Sequence, residues 1–474
     1  MVFKNKMLIG KNWISKKKTF NVTNPYNNAL LAKVPAGDGE DVSNAVDTAE
    51  KAFKSFSNFP AHKRAAILEN TAILLTKHQE EIAKTIALES GKAITYARAE
   101  AARGIETFKF ASEEAKRIHG EIIPMDASPV GEGRFGFYVR VPKGVIAAIS
   151  PFNFPLNLVA HKVAPAIAAG NCVVLKPSSA TPLTALKLGE LMLKAGLPAG
   201  VLNIVTGGGG SVGDALVKHD GISMVTFTGS MPVGKRIKEI SGLKFVTLEL
   251  GSNSAVIIDR DVDYAKAIPR IIVGAYYNSG QTCISVQRIY VHKSLYKKFT
   301  EDFREAVKKI KVGNPMDDKV LFGPMIEEKE AVRTEEWISE AVRSGAKLQT
   351  GGRRKGAVID ATFLSDTTHS MKVIKDEVFA PVASVMKFDE FDEAMTMAND
   401  SIYGLNGGIY TNSISRAIQA IKEYKVGSLM INDIPTYRVD HMPYGGVKAS
   451  GLGREGPRFA IEEMTDIKMV SISY

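Results

Sequence analysis

Cysteine is scarce in this chain, with Cys172 and Cys283 the two copies among 474 residues. Two cysteines this far apart provide no disulfide framework, which excludes the small cystine-stabilised domains typical of secreted proteins. Cys172 lies in the apolar run 172–175 and is predicted to be a core residue of a strand. Because nothing in the chain requires an oxidising compartment, we expect a cytoplasmic protein.

Long apolar runs, repeats and low-complexity linkers are also missing from the sequence. No run approaches the roughly 18–20 residues that a membrane-spanning helix needs, and the N-terminus lacks an apolar signal core. We therefore predict no membrane partner. The contents of 45% hydrophobic and 24% charged residues are ordinary for a globular protein, and a chain of this length is expected to form two or three domains.

The net charge of +10 is spread thinly, with short basic clusters at residues 16–18 and 353–355. Nucleic-acid binding would require a basic stripe with interleaved aromatic residues, which the chain does not have, so we predict no nucleic-acid partner. A mild attraction for anionic substrates or cofactors is still expected from the positive charge.

The hydrophobic pattern predicts an α/β fold. Residues 1–40 are typical of hairpins, and residues 41–91 have a helical period that ends at Gly91. Continuous apolar runs separated by helical stretches then predict the buried parallel strands of an open doubly wound sheet. These runs are 145–149, 172–175, 202–205 and 224–227. Residues 255–258 and an amphipathic helix at 295–310 begin a second βα series.

Five short motifs occur in order along the chain. They are PFNFP at 151–155, LELG at 248–251, GQTC at 280–283, EVFAP at 377–381 and GGVKASG at 445–451. Together they resemble the aldehyde dehydrogenase superfamily, and the resemblance extends along nearly the entire chain.

The resemblance implies a Rossmann-type cofactor domain, an α/β catalytic domain and a β oligomerisation arm. The predicted dinucleotide-binding domain comprises residues 1–118 and 142–248, and the catalytic domain residues 249–434. The arm comprises residues 119–141 and 456–474, and residues 435–455 return to line the substrate funnel. Such an arm predicts a homo-oligomer, specifically a tetramer built from dimers.

Cys283 follows a Gly-Gln turn, where nearby backbone N–H groups can lower a thiol pKa and produce a nucleophile, although a buried core cysteine is the alternative. By resemblance, the Asn153 amide and the backbone N–H of Cys283 form an oxyanion hole. Glu249 is the matching base, with its pKa raised by partial desolvation. A turn residue and an exposed strand-end acid are the alternatives for these two. Lys162 and Glu455 match proton-relay residues or are surface charges.

Fourteen residues match the cofactor site of the family. They are Ser150, Phe152, Lys176, Ser178, Ser179, Gly209, Phe227, Gly229, Ser230, Val233, Leu250, Gly251, Glu377 and Phe379. The resemblance places the phosphates near Ser230, where a helix opens, because free N–H groups favour anions there. Ser179 stands where NAD-preferring members carry glutamate, which predicts NADP with NAD still accepted. Ser252 replaces a family glycine and puts the packing of the cofactor loop in doubt.

Nine residues match the substrate funnel, namely Phe154, Asn157, His161, Tyr277, Thr282, Tyr437, Arg438, His441 and Tyr444. Their aromatic, hydroxyl and basic groups favour a small hydroxylated or anionic aldehyde, and Arg438 is either an anion anchor or a solvated loop residue. We expect no metal. The predicted reaction is NAD(P)-dependent oxidation to the acid through a cysteine thiohemiacetal and thioester. A coenzyme A-acylating enzyme and a non-catalytic structural protein are alternatives. Glu249 opposes the first, and the intact Cys283, Asn153 and Glu249 oppose the second.

Overall fold

A computed structural model describes residues 4–474, which form two large sheets, a three-stranded sheet and two short hairpins. Among its helices within that range, none combines the length and apolarity needed to cross a membrane.

Residues 4–249 contain eleven strands and eight α-helices. The elements are β1 (Met7–Ile9), β2 (Asn12–Ile14), β3 (Thr19–Thr23), β4 (Leu30–Pro35), α1 (Gly39–Phe56), α2 (Ala61–Lys77), α3 (Gln79–Ser90), α4 (Ile94–Ala115), β5 (Ile122–Ile123), β6 (Arg134–Pro142), β7 (Val145–Ile149), α5 (Asn157–Ala168), β8 (Cys172–Lys176), α6 (Leu183–Lys194), β9 (Leu202–Ile204), α7 (Asp214–Lys218), β10 (Met224–Thr228), α8 (Met231–Ile240) and β11 (Phe245–Glu249). The predicted helix end at Gly91 is confirmed, because this residue adopts a left-handed φ of 74° after α3.

The second half contains a further eleven strands and seven helices. They are β12 (Ala255–Ile258), α9 (Tyr264–Tyr276), β13 (Arg288–His292), α10 (Lys293–Lys308), α11 (Glu328–Arg343), β14 (Lys347–Thr350), β15 (Arg354–Lys355), β16 (Val358–Ile359), β17 (Thr362–Ser365), α12 (Lys372–Lys375), β18 (Val382–Phe388), α13 (Phe391–Asn399), β19 (Asn406–Tyr410), α14 (Ile414–Glu423), β20 (Ser428–Ile431), β21 (Gly451–Leu452), α15 (Pro457–Glu463) and β22 (Thr465–Ser473).

The first large sheet has the strand order β2-β1-β9-β8-β7-β10-β11-β21. Its five central strands, β9, β8, β7, β10 and β11, are parallel to each other. Every residue of β7 and β8 is buried. The predicted parallel strands are thus present. Ile149 pairs with Phe227, and Thr228 pairs with Glu249, so three strands end at one edge of the sheet. Ligands of open α/β sheets bind at such carboxyl-terminal edges.

The second large sheet has the order β14-β17-β18-β13-β12-β19-β20, with β14 antiparallel to an otherwise parallel set. The predicted amphipathic helix corresponds to α10, whose apolar face buries Phe299, Phe303 and Val307. The second βα series is therefore also present.

The three-stranded sheet consists of β5, β6 and β22. The terminal strand pairs antiparallel with the whole of β6, from Thr465 opposite Pro142 to Ser473 opposite Arg134. Helix α15 does not join this sheet, because it packs on α4 and α5 and buries Ala460 in the core of the first sheet. Of residues 456–474, the sheet formed by β5, β6 and β22, named the arm sheet after the predicted arm, therefore contains β22 alone.

Candidate active site

Cys283 follows a turn of three consecutive residues in the left-handed region. Asn278, Ser279 and Gly280 have φ values of 53°, 58° and 66°. A Cβ at Gly280 would lie 2.1 Å from the carbonyl oxygen of Ala380, so glycine is required there. Non-glycine residues in this conformation carry strain that the surrounding structure must hold, and such over-determination fixes the start of the Cys283 loop.

The Cys283 side chain is half-buried and lines a cavity, which contradicts the core-residue alternative. Its Sγ lies 3.1 Å from the Tyr444 hydroxyl oxygen. Burial raises the pKa of the thiol to about 12, aided by the charges of Glu249 and Glu377. The expected lowering of this pKa is therefore wrong for the free protein, because desolvation outweighs the Tyr444 hydrogen bond and the charge of Arg438.

Asn153 lies in the loop between β7 and α5 and reaches across to the Cys283 loop. Its Nδ2 donates to the Gln281 carbonyl at 2.9 Å, and its Oδ1 has no hydrogen-bond partner among the described residues. The side chain thus bonds to the neighbouring loop and not to its own turn. An amide nitrogen carries two hydrogens, so a second donor is available.

Glu249 is the last residue of β11 and is 3% exposed. Neither of its carboxylate oxygens has a hydrogen-bond partner within residues 4–474. Burial, with the negative charge of Glu455 as the second cause, raises its pKa well above the ordinary value. The expected direction of this pKa shift is confirmed, and the exposed-acid alternative is wrong.

Glu455 has the opposite environment. Its two oxygens each lie 3.1 Å from a cation, one from Lys162 Nζ and the other from Arg438 Nη2. Burial would raise its pKa, but the charges of Lys162 and Arg438 outweigh that effect and hold the pKa at about 2. The side chains of Lys162 and Glu455 are 0% and 3% exposed, so the surface-charge alternative is wrong for both.

One cavity of about 840 Å³ opens at the carboxyl edge of the first sheet. All fourteen predicted cofactor residues line it, together with Asn153, Glu249 and Cys283. There is open space above Gly209 and Gly210, because a Cβ on either residue would meet no atom within 4 Å. Helix α8 opens into it with Ser230 as the preceding residue.

Lys176, the last residue of β8, and Ser179, which follows the strand, both contribute to the wall of this cavity. Burial lowers the pKa of Lys176 to about 8, and its Nζ donates to the Pro177 carbonyl at 3.2 Å. The Ser179 hydroxyl donates to the Gly207 carbonyl at 2.8 Å and so ties the glycine-rich turn to this wall. A cavity lined by both a buried cation, Lys176, and the N-terminus of helix α8 is suited to a phosphate.

Ser252 does not disturb the loop opposite. Its backbone N–H donates to Glu377 Oε1 at 2.9 Å, and its hydroxyl lies 3.3 Å from that of Ser254. The glycine that matters is Gly251, where a Cβ would lie 2.1 Å from Glu377 Oε2. The serine is therefore accommodated within the loop, and its effect on cofactor packing stays a prediction. Burial raises the pKa of Glu377 to about 7.

Sequence reasoning missed several residues of the cavity wall. They include Asp214, Arg236, Met325, Ile326, Glu330 and Arg333. The last four come from α11 and the segment before it, which carry none of the five motifs. Asp214 and Arg236 form an ion pair between α7 and α8. Only a tertiary structure brings these segments to one cavity.

Asp440 organises the predicted substrate residues and was also missed. It accepts hydrogen bonds from Asn157 Nδ2 and His161 Nε2 at 2.9 Å each, and from both Nε and Nη2 of Arg103 at 3.1 and 2.8 Å. Burial would raise the Asp440 pKa, but the bond from His161 and the charge of Arg103 hold it far below its usual range. The partners come from two helices, so no local pattern signals the cluster.

Arg438 is buried, with a side chain 6% exposed, so the solvated-loop alternative is wrong. Its guanidinium carbon lies 3.6 Å from the centroid of the Tyr444 ring. It also pairs with Glu455, and its Nη2 lies 3.2 Å from His161 Nε2. The Arg438 guanidinium therefore already contacts the Tyr444 ring on its face and Glu455 through Nη2.

The other predicted substrate residues contact aromatic rings, lie buried beside Cys283 or lie at the surface. Lys92 Nζ lies 3.8 Å from the centroid of the Phe154 ring. Tyr277 contacts Tyr96, with the two ring centroids 5.2 Å apart. Thr282 is buried beside Cys283. Tyr437 and His441 are exposed residues of the segment 435–455, and His441 contacts Phe110. The structure thus joins Asn157, His161, Arg438 and Tyr444 in one network and leaves the rest around it.

The chain belongs to the aldehyde dehydrogenase family, whose sequence model matches residues 13–470. It is 46% identical over 467 residues to the 3-sulfolactaldehyde dehydrogenase of Priestia aryabhattai, with 98% of each chain covered.

Solved structures of two relatives superpose along almost the whole chain. Aldehyde dehydrogenase 21 of Physcomitrella patens, in complex with the reaction product succinate, has a TM-score of 0.96 at 42% identity, covering 99% of this chain and 98% of that one. The glyceraldehyde-3-phosphate dehydrogenase of Methanocaldococcus jannaschii, complexed with NADP, has a TM-score of 0.94 at 41% identity, covering 97% and 100%.

Proposed function

We propose that the protein oxidises a small aldehyde to its carboxylic acid with NADP or NAD. The observation that carries this proposal is that Cys283 and the unpartnered carboxylate of Glu249 line the same cavity, which is large enough for a cofactor. A buried acid without hydrogen bonds is costly, and perturbed acids beside a nucleophile mark functional sites.

In the first step the Cys283 thiolate adds to the aldehyde carbon. The oxyanion accepts hydrogen bonds from the Asn153 amide and the backbone N–H of Cys283, which stabilise it in a water-poor site. A nicotinamide cofactor held by the residues that line the cavity would supply a hydride acceptor, and loss of hydride from the carbon bound to Cys283 would leave a thioester there.

In the second step Glu249 removes a proton from water as the water attacks the thioester. Its raised pKa suits it for this role near neutral pH. Glu455 has a pKa of about 2 between two cations, and a carboxylate so strongly held is a poor proton carrier. We therefore assign Glu455 and Lys162 an electrostatic role, in which the charge of Glu455 helps to raise the Glu249 pKa.

NADP is the proposed preferred cofactor. The absence of a carboxylate at Ser179 and the buried cation of Lys176 favour a 2′-phosphate on the adenosine ribose. The M. jannaschii relative at 41% identity was solved with NADP.

An aldehyde with an anionic or hydroxylated tail is the proposed substrate class. Two of the three relatives are named for a substrate with such a group, 3-sulfolactaldehyde and glyceraldehyde-3-phosphate, and the third was solved with its anionic reaction product succinate. Arg103 on α4 is paired with Asp440 but remains 29% exposed, and Arg438 keeps an Nε–H that no described residue accepts. These two guanidinium groups are the proposed anchors.

We also propose that the arm sheet mediates homo-oligomer formation, as dimers that pair into a tetramer. Phe135 on β6 and Ile467, Met469 and Ile472 on β22 are exposed apolar residues of this sheet. Exposed apolar strands of this kind are usually covered by a partner.

The test compares the two cysteines. Cys283→Ala should lose more than a thousandfold in turnover, since removal of a nucleophile typically costs that much, while cofactor binding persists. Cys172→Ala is the matched control, because Cys172 is buried in β8, and it should retain activity. Turnover is followed by the absorbance of the reduced cofactor, with and without coenzyme A. Turnover by Cys283→Ala above about a thousandth of wild type, or release of the product as an acyl-coenzyme A, would contradict the proposal.

A further inference from the structure

Tyr444 is held against the nucleophile from several directions. Its hydroxyl oxygen lies 3.1 Å from Cys283 Sγ, and its ring is 1% exposed. The ring packs with Ile284 and Leu405, and Cys283 lies against the same small cluster. The hydroxyl therefore has little room to turn away from the sulfur.

The backbone of Tyr444 is fixed as well. Its N–H donates to the Glu455 carbonyl at 3.1 Å, and its carbonyl accepts from the Glu455 N–H at 2.6 Å. Glu455 also pairs with Arg438, whose guanidinium lies on the Tyr444 ring. One acidic residue thus locates both the tyrosine and the cation that covers it.

The direction of the Tyr444–Cys283 hydrogen bond depends on the state of the sulfur. While the thiol is protonated, either group can donate. Once the thiolate forms, the sulfur can only accept and the phenol must donate. The phenol keeps its proton, because burial raises the Tyr444 pKa well above its ordinary value.

We propose that Tyr444 is a catalytic residue whose phenolic O–H donates a hydrogen bond to the Cys283 thiolate without giving up its proton, with Arg438 and Glu455 as its positioning residues. This inference rests on the proposed role of Cys283 as nucleophile. When the sulfur adds to the aldehyde, its charge moves to the carbonyl oxygen and the hydrogen bond weakens. When the thioester breaks, the departing thiolate recovers the bond.

The charges around the sulfur explain why this donor is needed. Burial raises the Cys283 pKa, and the carboxylates of Glu249 and Glu377 raise it further. The Tyr444 hydrogen bond and the charge of Arg438 act against them. Without the hydroxyl, the site would retain one main group that favours the thiolate.

Alkylation of Cys283 by iodoacetamide, followed between about pH 6 and 10, tests the inference without aldehyde turnover. A hydrogen bond to a charged group corresponds to roughly one to two pKa units. Tyr444→Phe should therefore contain less thiolate at neutral pH. The remaining thiolate is more nucleophilic, so the net rate should fall roughly three- to tenfold.

Two controls separate thiolate stabilisation from altered access or packing. A bulkier maleimide should show the same fold reduction as iodoacetamide, because a change in thiolate fraction does not depend on reagent size. Tyr276→Phe removes another fully buried hydroxyl, one that donates to the Thr362 carbonyl at 3.0 Å, and should leave alkylation unchanged.

Equal alkylation rates in the wild type and Tyr444→Phe would overturn the inference. So would a reduction that differs between the two reagents, since that pattern reports access. Both results would leave the role of Cys283 intact, because that role is tested separately by Cys283→Ala turnover.

Discussion

The cofactor cavity and the aldehyde side of the site differ in how far their polar groups are satisfied. On the cavity wall, both Glu249 oxygens are without a partner across residues 4–474. On the aldehyde side, Asp440 accepts four hydrogen bonds from three residues, and Glu455 lies between two cations. One region contains groups free to act, whereas the other contains groups that already bind each other.

This difference appears in the acid pKa values. Burial acts on all three carboxyl groups, yet the pKa rises in Glu249 and falls in Glu455 and Asp440. The presence or absence of cationic and hydrogen-bonding partners decides the direction. An unpartnered buried acid destabilises the fold, so we infer that Glu249 is retained for its chemistry and the other two for positioning.

The largest expected effect comes from Glu249→Gln, which removes the base. We expect kcat to fall roughly 100- to 10,000-fold, the usual contribution of general base catalysis.

The same substitution should not lower the thermal stability of the protein, although it lowers its activity. Because the folded pKa is raised, the stability from the protonated form is lost as pH rises through that pKa. At about pH 8 the variant should therefore melt at the same temperature as the wild type or higher. Glu455→Gln, which breaks two buried ion pairs, should melt lower, and the reverse order would contradict the comparison.

Asn153→Ala should slow the first step roughly 100- to 1,000-fold, as expected for the loss of one oxyanion donor. Asn153→Asp keeps the shape of the side chain without its N–H donors, and it should be at least as slow. Single-turnover formation of reduced cofactor measures this step. An effect on KM alone would assign Asn153 to substrate binding instead.

Asp440→Asn should break the network on the aldehyde side and lower the free energy of unfolding by about 3 kcal/mol, since the buried carboxylate accepts four hydrogen bonds, two of them from the Arg103 guanidinium. Asp433→Asn is the matched control, because Asp433 also binds an arginine, Arg270, at 2.9 and 2.8 Å, but nearer the surface. That control should lose at most about 1 kcal/mol. Urea denaturation measures both, and equal losses would remove the distinction between the regions.

The pH dependence of this loss has a defined sign. The Asp440 pKa is depressed in the folded protein. Its stabilisation is therefore present above the unfolded pKa, near 3.9, and is lost as pH falls. The difference between wild type and Asp440→Asn should shrink when urea denaturation is repeated toward pH 3.

The same comparison explains what could be predicted from sequence. The cavity residues follow strand ends and short motifs, so a resemblance located fourteen residues that all line one cavity. Helix α10 was predictable because burial of one face imposes a helical period on the sequence. The parallel strands were predictable because burial of both faces produces continuous apolar runs.

The aldehyde side was less predictable, because its geometry depends on pairs that are distant in sequence. Asp440 meets Arg103 across 337 positions, and no local pattern marks either residue. The prediction that the Cys283 thiol pKa is lowered was wrong for a related reason. Turn chemistry suggested donors near Cys283, but the desolvation that raises its pKa comes from the assembled fold.

The smallest expected effect concerns cofactor choice. Ser179→Glu should change the ratio of kcat/KM for NADP and NAD roughly tenfold in favour of NAD, since a carboxylate there would repel a 2′-phosphate. Ser179→Ala removes the bond to Gly207 without adding charge and should leave the ratio near that of the wild type. Equal ratios in all three proteins would place cofactor selection elsewhere in the cavity.

Rapid-quench analysis of Glu249→Gln tests most directly the claim that Cys283 and Glu249 divide the reaction between them. After aldehyde and cofactor are mixed with the variant, one equivalent of reduced cofactor per active site should form in a burst. Mass spectrometry should then find the acyl group on the peptide that contains Cys283. Slow formation of reduced cofactor with no acylated Cys283 would contradict the account.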